Sequence, residues 1–314
     1  ASPLTILNMM ILGPVATLSR GARQVLMDRT DALGVSEWIA REKVNTTSLV
    51  PTIVQDLLTR PDIPPERLES LTWIVAGAAM VPERVGALYR ERFGKALTIG
   101  YGLTENPTAV SRTHDGTPRT QGAVGRPLPH LLVSIQTDDG APVAVGEIGE
   151  ICVRAADTGP WAHVYAPTLG YWGRAAETTA LLRGGWLHTG DVGRLDEAGE
   201  LYIVDRRRDL IVRGGANVYP AEVERVLRQH ADVRDCAVIG LPDERLGQIV
   251  GAVIELHEGA READVQRALD QMCAAEIARF KIPAAWRFAP LPRNVMGKTL
   301  KADLPKLFLK DLGG

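Results

Sequence analysis

The chain has 314 residues, 45% of them hydrophobic and 24% charged, a composition suited to one large or two ordinary globular domains and neither disordered nor fibrous. Its formal net charge is −2, with basic residues dispersed except at 206–208, which argues against a dedicated nucleic-acid binder because phosphate affinity needs clustered excess cation. Three widely spaced cysteines, Cys152, Cys236 and Cys273, offer neither a disulfide framework nor a CxxC site, and six histidines lack zinc spacing, so a reduced, cytoplasmic setting is expected.

The opening stretch 4–18 is apolar and uncharged, yet shorter than the roughly 20 residues a membrane span needs, and no basic region precedes it as in a secretion signal. It reads as a buried segment, and no membrane span is expected. Segments 36–43 and 52–59 carry short helical patterns, the second launched after Pro51, and LTWIVAG (71–77) reads as a buried strand. A punctuated helix follows. Pro82 suits its first turn, Glu83 complements the positive end, Val81, Val85, Leu88 and Tyr89 share a face, and Gly94 ends it. With a strand expected at 96–99, this alternation is that of a layered α/β architecture. From about 122 to 203 short strands punctuated by Gly, Pro and Asp, as in LLVSIQTDDGAPV and GEIGEICVRA, predict a β-rich subdomain. After Asp209 a compact pattern begins: a helix from Pro220 aligning Val223, Val226 and Leu227, strands at 236–240 and 249–256, and an amphipathic helix marked by Val265, Leu269, Met272 and Cys273.

Four ordered phrases carry chemistry. In YGLTE (101–105), just past a strand, Tyr101 offers a flat face, Gly100 and Gly102 permit close approach, Thr104 offers a hydroxyl to phosphate, and Glu105 could hold Mg²⁺; the plain alternative is a helix start capped by Thr104. In GWLHTGD (185–191), Asp191 follows a glycine turn, where a carboxylate can accept from both hydroxyls of a ribose; the alternative is a tight turn between strands with His188 satisfying a backbone group. DRRRDLIVRGGANVYPAEVE (205–224) sets a charged crossover between two extended segments, suiting a hinge with one arginine reaching a ligand, or only a solvated hairpin. In PRNVMGKTLK (292–301), GKT imitates the tail of a phosphate loop whose first glycine is replaced by Pro292, so that loop is rejected. Lys298 instead sits in a glycine-flexed loop, free to swing, unless it is an ordinary surface lysine.

Read jointly, these phrases resemble the adenylate-forming superfamily of acyl-CoA synthetases, adenylation domains and luciferases, from about Pro3 to Leu304. RGGANVYPAEVE (213–224), VGRPLP (124–129), GEIGEI (146–151), GYW (170–172) and GLPDERLG (240–247) look like the acyl- or aryl-CoA ligase pattern. The resemblance implies a layered α/β subdomain (1–121) and a β-rich subdomain (122–207), together an incomplete large domain, followed by a small α+β C-terminal domain (208–314). It implies ATP/AMP, Mg²⁺ and CoA as cofactors and a small carboxylic acid as substrate, with no nucleic acid; a homodimer is left open. Gly77, Ala78 and Ala79 would border adenine and Tyr101 stack on it, beside Gly102. Thr104 would contact the α-phosphate and Glu105 the magnesium. Asp191 and Arg206 would hold the ribose, Ile203 would pack near the base, Arg208 would be the hinge, Gly214 and Gly215 would line the CoA channel, and Lys298 would serve the first half-reaction.

The implied acyl pocket draws on Ile6, Leu49, Ala76, Gly77, Ile99, Gly100 and Leu103, small or apolar side chains without a cation for a second carboxylate, so a monocarboxylic fatty, alicyclic or aromatic acid fits. The sequence departs from the family pattern at Asp205, usually glycine, at Met80, usually proline, and at Lys301, a conservative replacement of arginine. The family's Ser/Thr/Gly-rich phosphate loop lies upstream of the part matching Pro3, so the chain is expected to be a fragment with little ligase activity of its own. An adenylation domain loading a carrier protein, or a non-catalytic nucleotide-binding remnant, are the competing readings.

Overall fold

The computed structural model describes residues 10–77, 81–107, 109–113, 122–294 and 298–308. The chain divides into two compact units, one of Ala1–Thr189 with Gly193–Ile203 and one of Gly190–Val192 with Val204–Gly314.

In the first unit a π-helical turn, Ile11–Val15, runs into α1, Ala16–Ser19. For residues 10–18 this corrects the expected buried segment, whose first part, 4–9, lies outside the described residues: Val15 and Leu18 are 55% and 75% exposed, and no described residue here joins a hydrophobic cluster. The helix α2, Ala32–Glu42, begins four residues earlier than the periodicity predicts, because Asp31 caps it by accepting from Gly34 N–H over 3.0 Å, satisfying a donor the helix cannot pair itself. Strand β1, Thr46–Leu49, was not expected; it is short and carries three polar residues. It leads to α3, Pro51–Thr59, with proline in its first turn. Strand β2, Trp73–Gly77, and helix α4, Glu83–Phe93, follow; Pro82 stands at the N-cap and Gly94 ends α4 at φ +67°.

Strands β3, Thr98–Gly102, β4, Ala109–Arg112, and β5, Arg126–Pro127, complete a sheet of order β1-β2-β3-β4-β5. Its first three strands are parallel and the rest antiparallel. Val35, Ile39, Leu49, Val54, Ile74, Val85, Tyr89 and Ile99 form the core between helices and sheet. Burying such side chains is worth about 2 kcal/mol each, which fixes the sheet against α2, α3 and α4.

A second, four-stranded sheet has the order β6-β7-β8-β9, made of Leu131–Gln136, Gly149–Ala155, Leu187–Leu195 and Leu201–Arg206. The helix α5, Ala175–Leu181, interrupts this strand-rich span. It buries no residue, so it leaves no apolar stripe in the sequence.

The second unit holds β10, Ile211–Arg213, β11, Ala216–Val218, α6, Pro220–Leu227, β12, Val233–Asp243, β13, Gly247–Leu256, α7, Glu262–Glu276, and β14, Ala285–Phe288. The sheet order is β11-β10-β13-β12, with β14 parallel to β13. One face of this sheet packs Val238, Val250 and Ile254 against Val223, Val226 and Leu227 of α6 and Val265, Leu269 and Cys273 of α7. Among the described residues no helix is long and apolar enough to cross a membrane.

Candidate functional site

In the first unit the parallel register sets Leu49 beside Ala76, Ala76 beside Ile99, and Gly77 beside Gly100. Leu49, Ala76 and Gly77, read as part of an acyl pocket, thus lie at the carboxyl ends of β1 and β2, where open α/β sheets bind ligands, and Ile99 and Gly100 of β3 pair beside them. A Cβ on Gly77 would come within 3.0 Å of the Gly100 carbonyl oxygen, so glycine is what lets the end of β2 approach β3 this closely. Ile6, Ala78 and Ala79 lie outside the described residues.

The YGLTE phrase straddles a strand end. Tyr101 and Gly102 still belong to β3, and Tyr101 is buried in a cluster with Val110, Leu131 and Ile135. Leu103 is half-buried, and Thr104 and Glu105 form a turn, not the helix start of the alternative reading. Thr104 is exposed and Glu105 half-buried. Glu105 Oε1 accepts a 2.6 Å hydrogen bond from the Tyr171 hydroxyl. That bond, with burial and the carboxylate charge, pushes the phenol up to about 12.

The His188 alternative also needs correction. Its Nδ1 lies 3.0 Å from Glu150 Oε2 and 3.3 Å from Cys152 Sγ, so side chains and not a backbone group engage it. All three residues are buried, and Arg183 Nη2 donates to the same Glu150 oxygen over 3.1 Å. The guanidinium already neutralises the carboxylate that a metal would need, so the cluster reads as an internal ion pair. The partners lie 36 and 38 residues from His188, a separation that local spacing cannot reveal.

In the second unit Asp191 and Arg206 meet. Asp191 lies mid-strand in β8, after Gly190 at φ +70°, rather than in a turn between strands. It is 5% exposed, and Arg206 Nε stands 3.3 Å from its Oδ1. The charges of both act on Lys298. Lys298 is exposed as a residue, but partial desolvation of its ammonium, then the Arg206 and Arg208 cations, hold it below the usual lysine range, against the opposing pull of Asp191 and Asp209. Asn294 N–H donates to the Lys298 carbonyl over 2.9 Å, and Lys298 N–H donates to Asn294 Oδ1 over 3.0 Å; the residues between them, 295–297, lie outside the described residues.

Arg208 lies in the 3-10 turn Arg207–Asp209 between β9 and β10. Gly214 and Gly215, at φ +58° and +84°, form the turn of the β10–β11 hairpin. Ile203, by contrast, belongs to the first unit and is half-buried in β9.

Two residues that the sequence marked only as departures have defined roles. Asp205 is buried and accepts from Ala221 N–H over 2.8 Å and from its neighbour Arg206 N–H over 2.7 Å. It thereby supplies the start of α6 with an acceptor that Tyr219, at the N-cap, does not. Desolvation raises the Asp205 carboxyl above its ordinary range despite those bonds. Lys301 is no bystander either, since its Nζ lies 2.7 Å from Oε1 of the buried Glu224.

A family model described as AMP-binding enzyme matches residues 1–161, and one described as AMP-binding enzyme C-terminal domain matches residues 222–298. The indoleacetate–CoA ligase of Aromatoleum aromaticum is 37% identical over 294 residues, 92% of this chain and 55% of that protein. Among solved structures, an o-succinylbenzoate CoA synthetase from Bacillus subtilis, in complex with an acyl-adenylate intermediate, aligns with a TM-score of 0.80 and 32% identity across 96% of this chain and 59% of that one. An amide bond synthetase from Marinactinospora thermotolerans aligns with a TM-score of 0.81 and 34% identity across 93% and 57%. The chain spans about half the length of the curated relatives it matches.

Proposed function

Because the chain belongs to the AMP-binding enzyme family, we propose that it handles the adenylate in an ATP-dependent acid–thiol ligase, which activates a carboxylic acid as acyl-AMP and transfers the acyl group to CoA. The observation that carries this reading is the buried Asp191 carboxylate steadied by Arg206, whose charges both act on Lys298. Asp191 accepts from the ribose hydroxyls, and Arg206 holds its orientation. Gly77, with Ala78 and Ala79, borders the adenine, flanked by Tyr101, Gly102 and Ile203.

Thr104 and Glu105 offer only oxygen donors, the set a hard cation such as magnesium takes; when bound, it neutralises phosphate charge. The substrate carboxylate attacks the α-phosphorus of ATP, pyrophosphate departs, and the acyl-AMP anhydride remains. Lys298 donates to the oxygens on which charge develops, and a preformed cation there lowers the barrier without reorganisation. The CoA thiolate then attacks the acyl carbonyl and AMP leaves, the thiol proton passing to solvent. Arg208 serves as the hinge between the two half-reactions, and the Gly214–Gly215 turn takes the pantetheine arm. Leu49, Ala76, Ile99, Gly100 and Leu103 favour a monocarboxylic fatty, alicyclic or aromatic acid. The three cysteines are buried thiols outside any disulfide, which suits a reducing cytoplasm.

ATP–pyrophosphate exchange by the encoded protein, screened over such acids, tests the first step; CoA, a carrier protein and a simple amine offered as acceptors test the second. Acid-dependent exchange with an acyl-CoA product is expected. Transfer to the carrier alone, or to the amine alone, assigns a different acceptor, and no exchange with any acid sinks the ligase reading.

A further inference from the structure

Glu105 is gripped twice by one short segment of its own unit. Thr168 N–H donates to its carbonyl oxygen over 2.9 Å, and the Tyr171 hydroxyl donates to its Oε1 over 2.6 Å. That segment is in turn fastened to the start of α5. Tyr171 N–H donates to Thr178 Oγ1 over 2.9 Å, and the Thr178 hydroxyl donates to the Arg174 carbonyl over 2.9 Å. Gly170 makes the fastening sterically possible: its φ is +135°, and a Cβ there would lie 2.4 Å from the Thr178 side chain. The backbone passes where only glycine fits.

These bonds restrict the carboxylate. An unrestrained glutamate loses rotamer freedom when it is ordered, and a ligand that needs it ordered meets that cost. Tyr171 has a rigid ring and a tied main chain, so its hydroxyl marks one place for Oε1. A single donated bond uses one of about four acceptor positions on an ionised carboxylate, leaving capacity for a further ligand. The 2.6 Å separation is in the short range of O–H donors to ionised oxygens. A hydrogen-bonded partner behind a ligating oxygen is the arrangement that fixes ligand orientation in metal sites.

We propose that Tyr171 is a positioning residue that orients the Glu105 carboxylate for the divalent cation of bound ATP, an inference that rests on the acid–thiol ligase reading. Tyr171 itself is 41% exposed, so removing its hydroxyl leaves the core intact.

The test is calorimetric titration of ATP into the encoded protein and into its Tyr171→Phe variant, each in EDTA and in excess Mg²⁺, without acid so that no turnover occurs. The gain in ATP affinity on adding Mg²⁺ is a coupling between cation and nucleotide. Tyr171→Phe is expected to shrink that gain about 10-fold, the lower end for loss of a partner behind a metal ligand, and to leave affinity in EDTA unchanged. An undiminished gain overturns the proposal. So does a parallel loss in EDTA and Mg²⁺, which marks a merely structural role. Failure of the unmodified protein to bind ATP under either condition overturns the ligase reading and this proposal with it.

Discussion

Lys298 is the residue whose chemistry can be tested most directly, because its ammonium is held below the usual lysine range by partial desolvation and by Arg206 and Arg208. A cation that stabilises a phosphoryl transition state works only while protonated. Its lowered value therefore places an alkaline limb on the exchange rate below the pH at which an ordinary lysine, near 10.4, would lose charge. Lys298→Arg should remove that limb, since arginine keeps its charge throughout, while Lys298→Ala should lower exchange about 100-fold or more. Initial rates of ATP–pyrophosphate exchange across pH measure both, and an unchanged limb in Lys298→Arg assigns the titration to another group. At this scale the sequence was informative where the partner is near in the chain or the phrase is distinctive. The family resemblance put Asp191 and Arg206 in one site, and the structure brings them within 3.3 Å. It did not reveal Tyr171 on Glu105, 66 residues away, because a hydrogen bond between distant loops leaves no spacing to read.

Among elements, α6 shows how much stability hangs on residues outside it. Its Glu224 is buried, accepts from Val238 N–H over 2.9 Å, and is paired with Lys301 at 2.7 Å and Arg228 at 3.2 Å. Burial pushes this carboxyl up, but Lys301 and Arg228 together outweigh burial and hold it below the ordinary range. A depressed folded-state value means stability that is fully present above the unfolded carboxylate range and lost as pH falls through the lower folded value. Lys301→Met leaves one cation for a buried anion and should cost about 3 kcal/mol at neutral pH, the lower end for breaking a buried pair. It should also start acid unfolding at a higher pH. Chemical denaturation at several pH values checks this, and an equal loss at all pH values would place the effect in packing. Punctuated elements were the legible ones: Gly94 and Pro220 marked the end of α4 and the start of α6. The strand β1 and the helix α5 were missed because one is polar and the other buries nothing, which removes the periodicity on which such reading depends.

For the whole molecule, the proposed ligase activity asks one chain to serve two reactions at one adenylate. The chain divides after Ile203, with Gly190–Val192 grouped beside Val204–Gly314, so Asp191, Arg206 and Lys298 share a unit while Glu105 belongs to the other. Attack by the acid needs a cation at the α-phosphate, whereas attack by a thiol needs a route to the acyl carbonyl. A hinge lets the same chain offer first one and then the other. Arg208 lies in a three-residue 3-10 turn, is 73% exposed at its side chain, and has its guanidinium 3.6 Å from Asp209, so little packing opposes a change of its backbone angles. Proline there fixes φ near −65° and removes the N–H, which restricts the turn to part of its range. Arg208→Pro should therefore spare acid-dependent pyrophosphate exchange while slowing thioester formation from supplied acyl-adenylate by about 100-fold, the scale of misplaced reacting groups. Measuring the two half-reactions separately decides it. Equal loss of both would make the turn a structural element instead of a hinge, and loss of exchange alone would place it on the side of the first reaction.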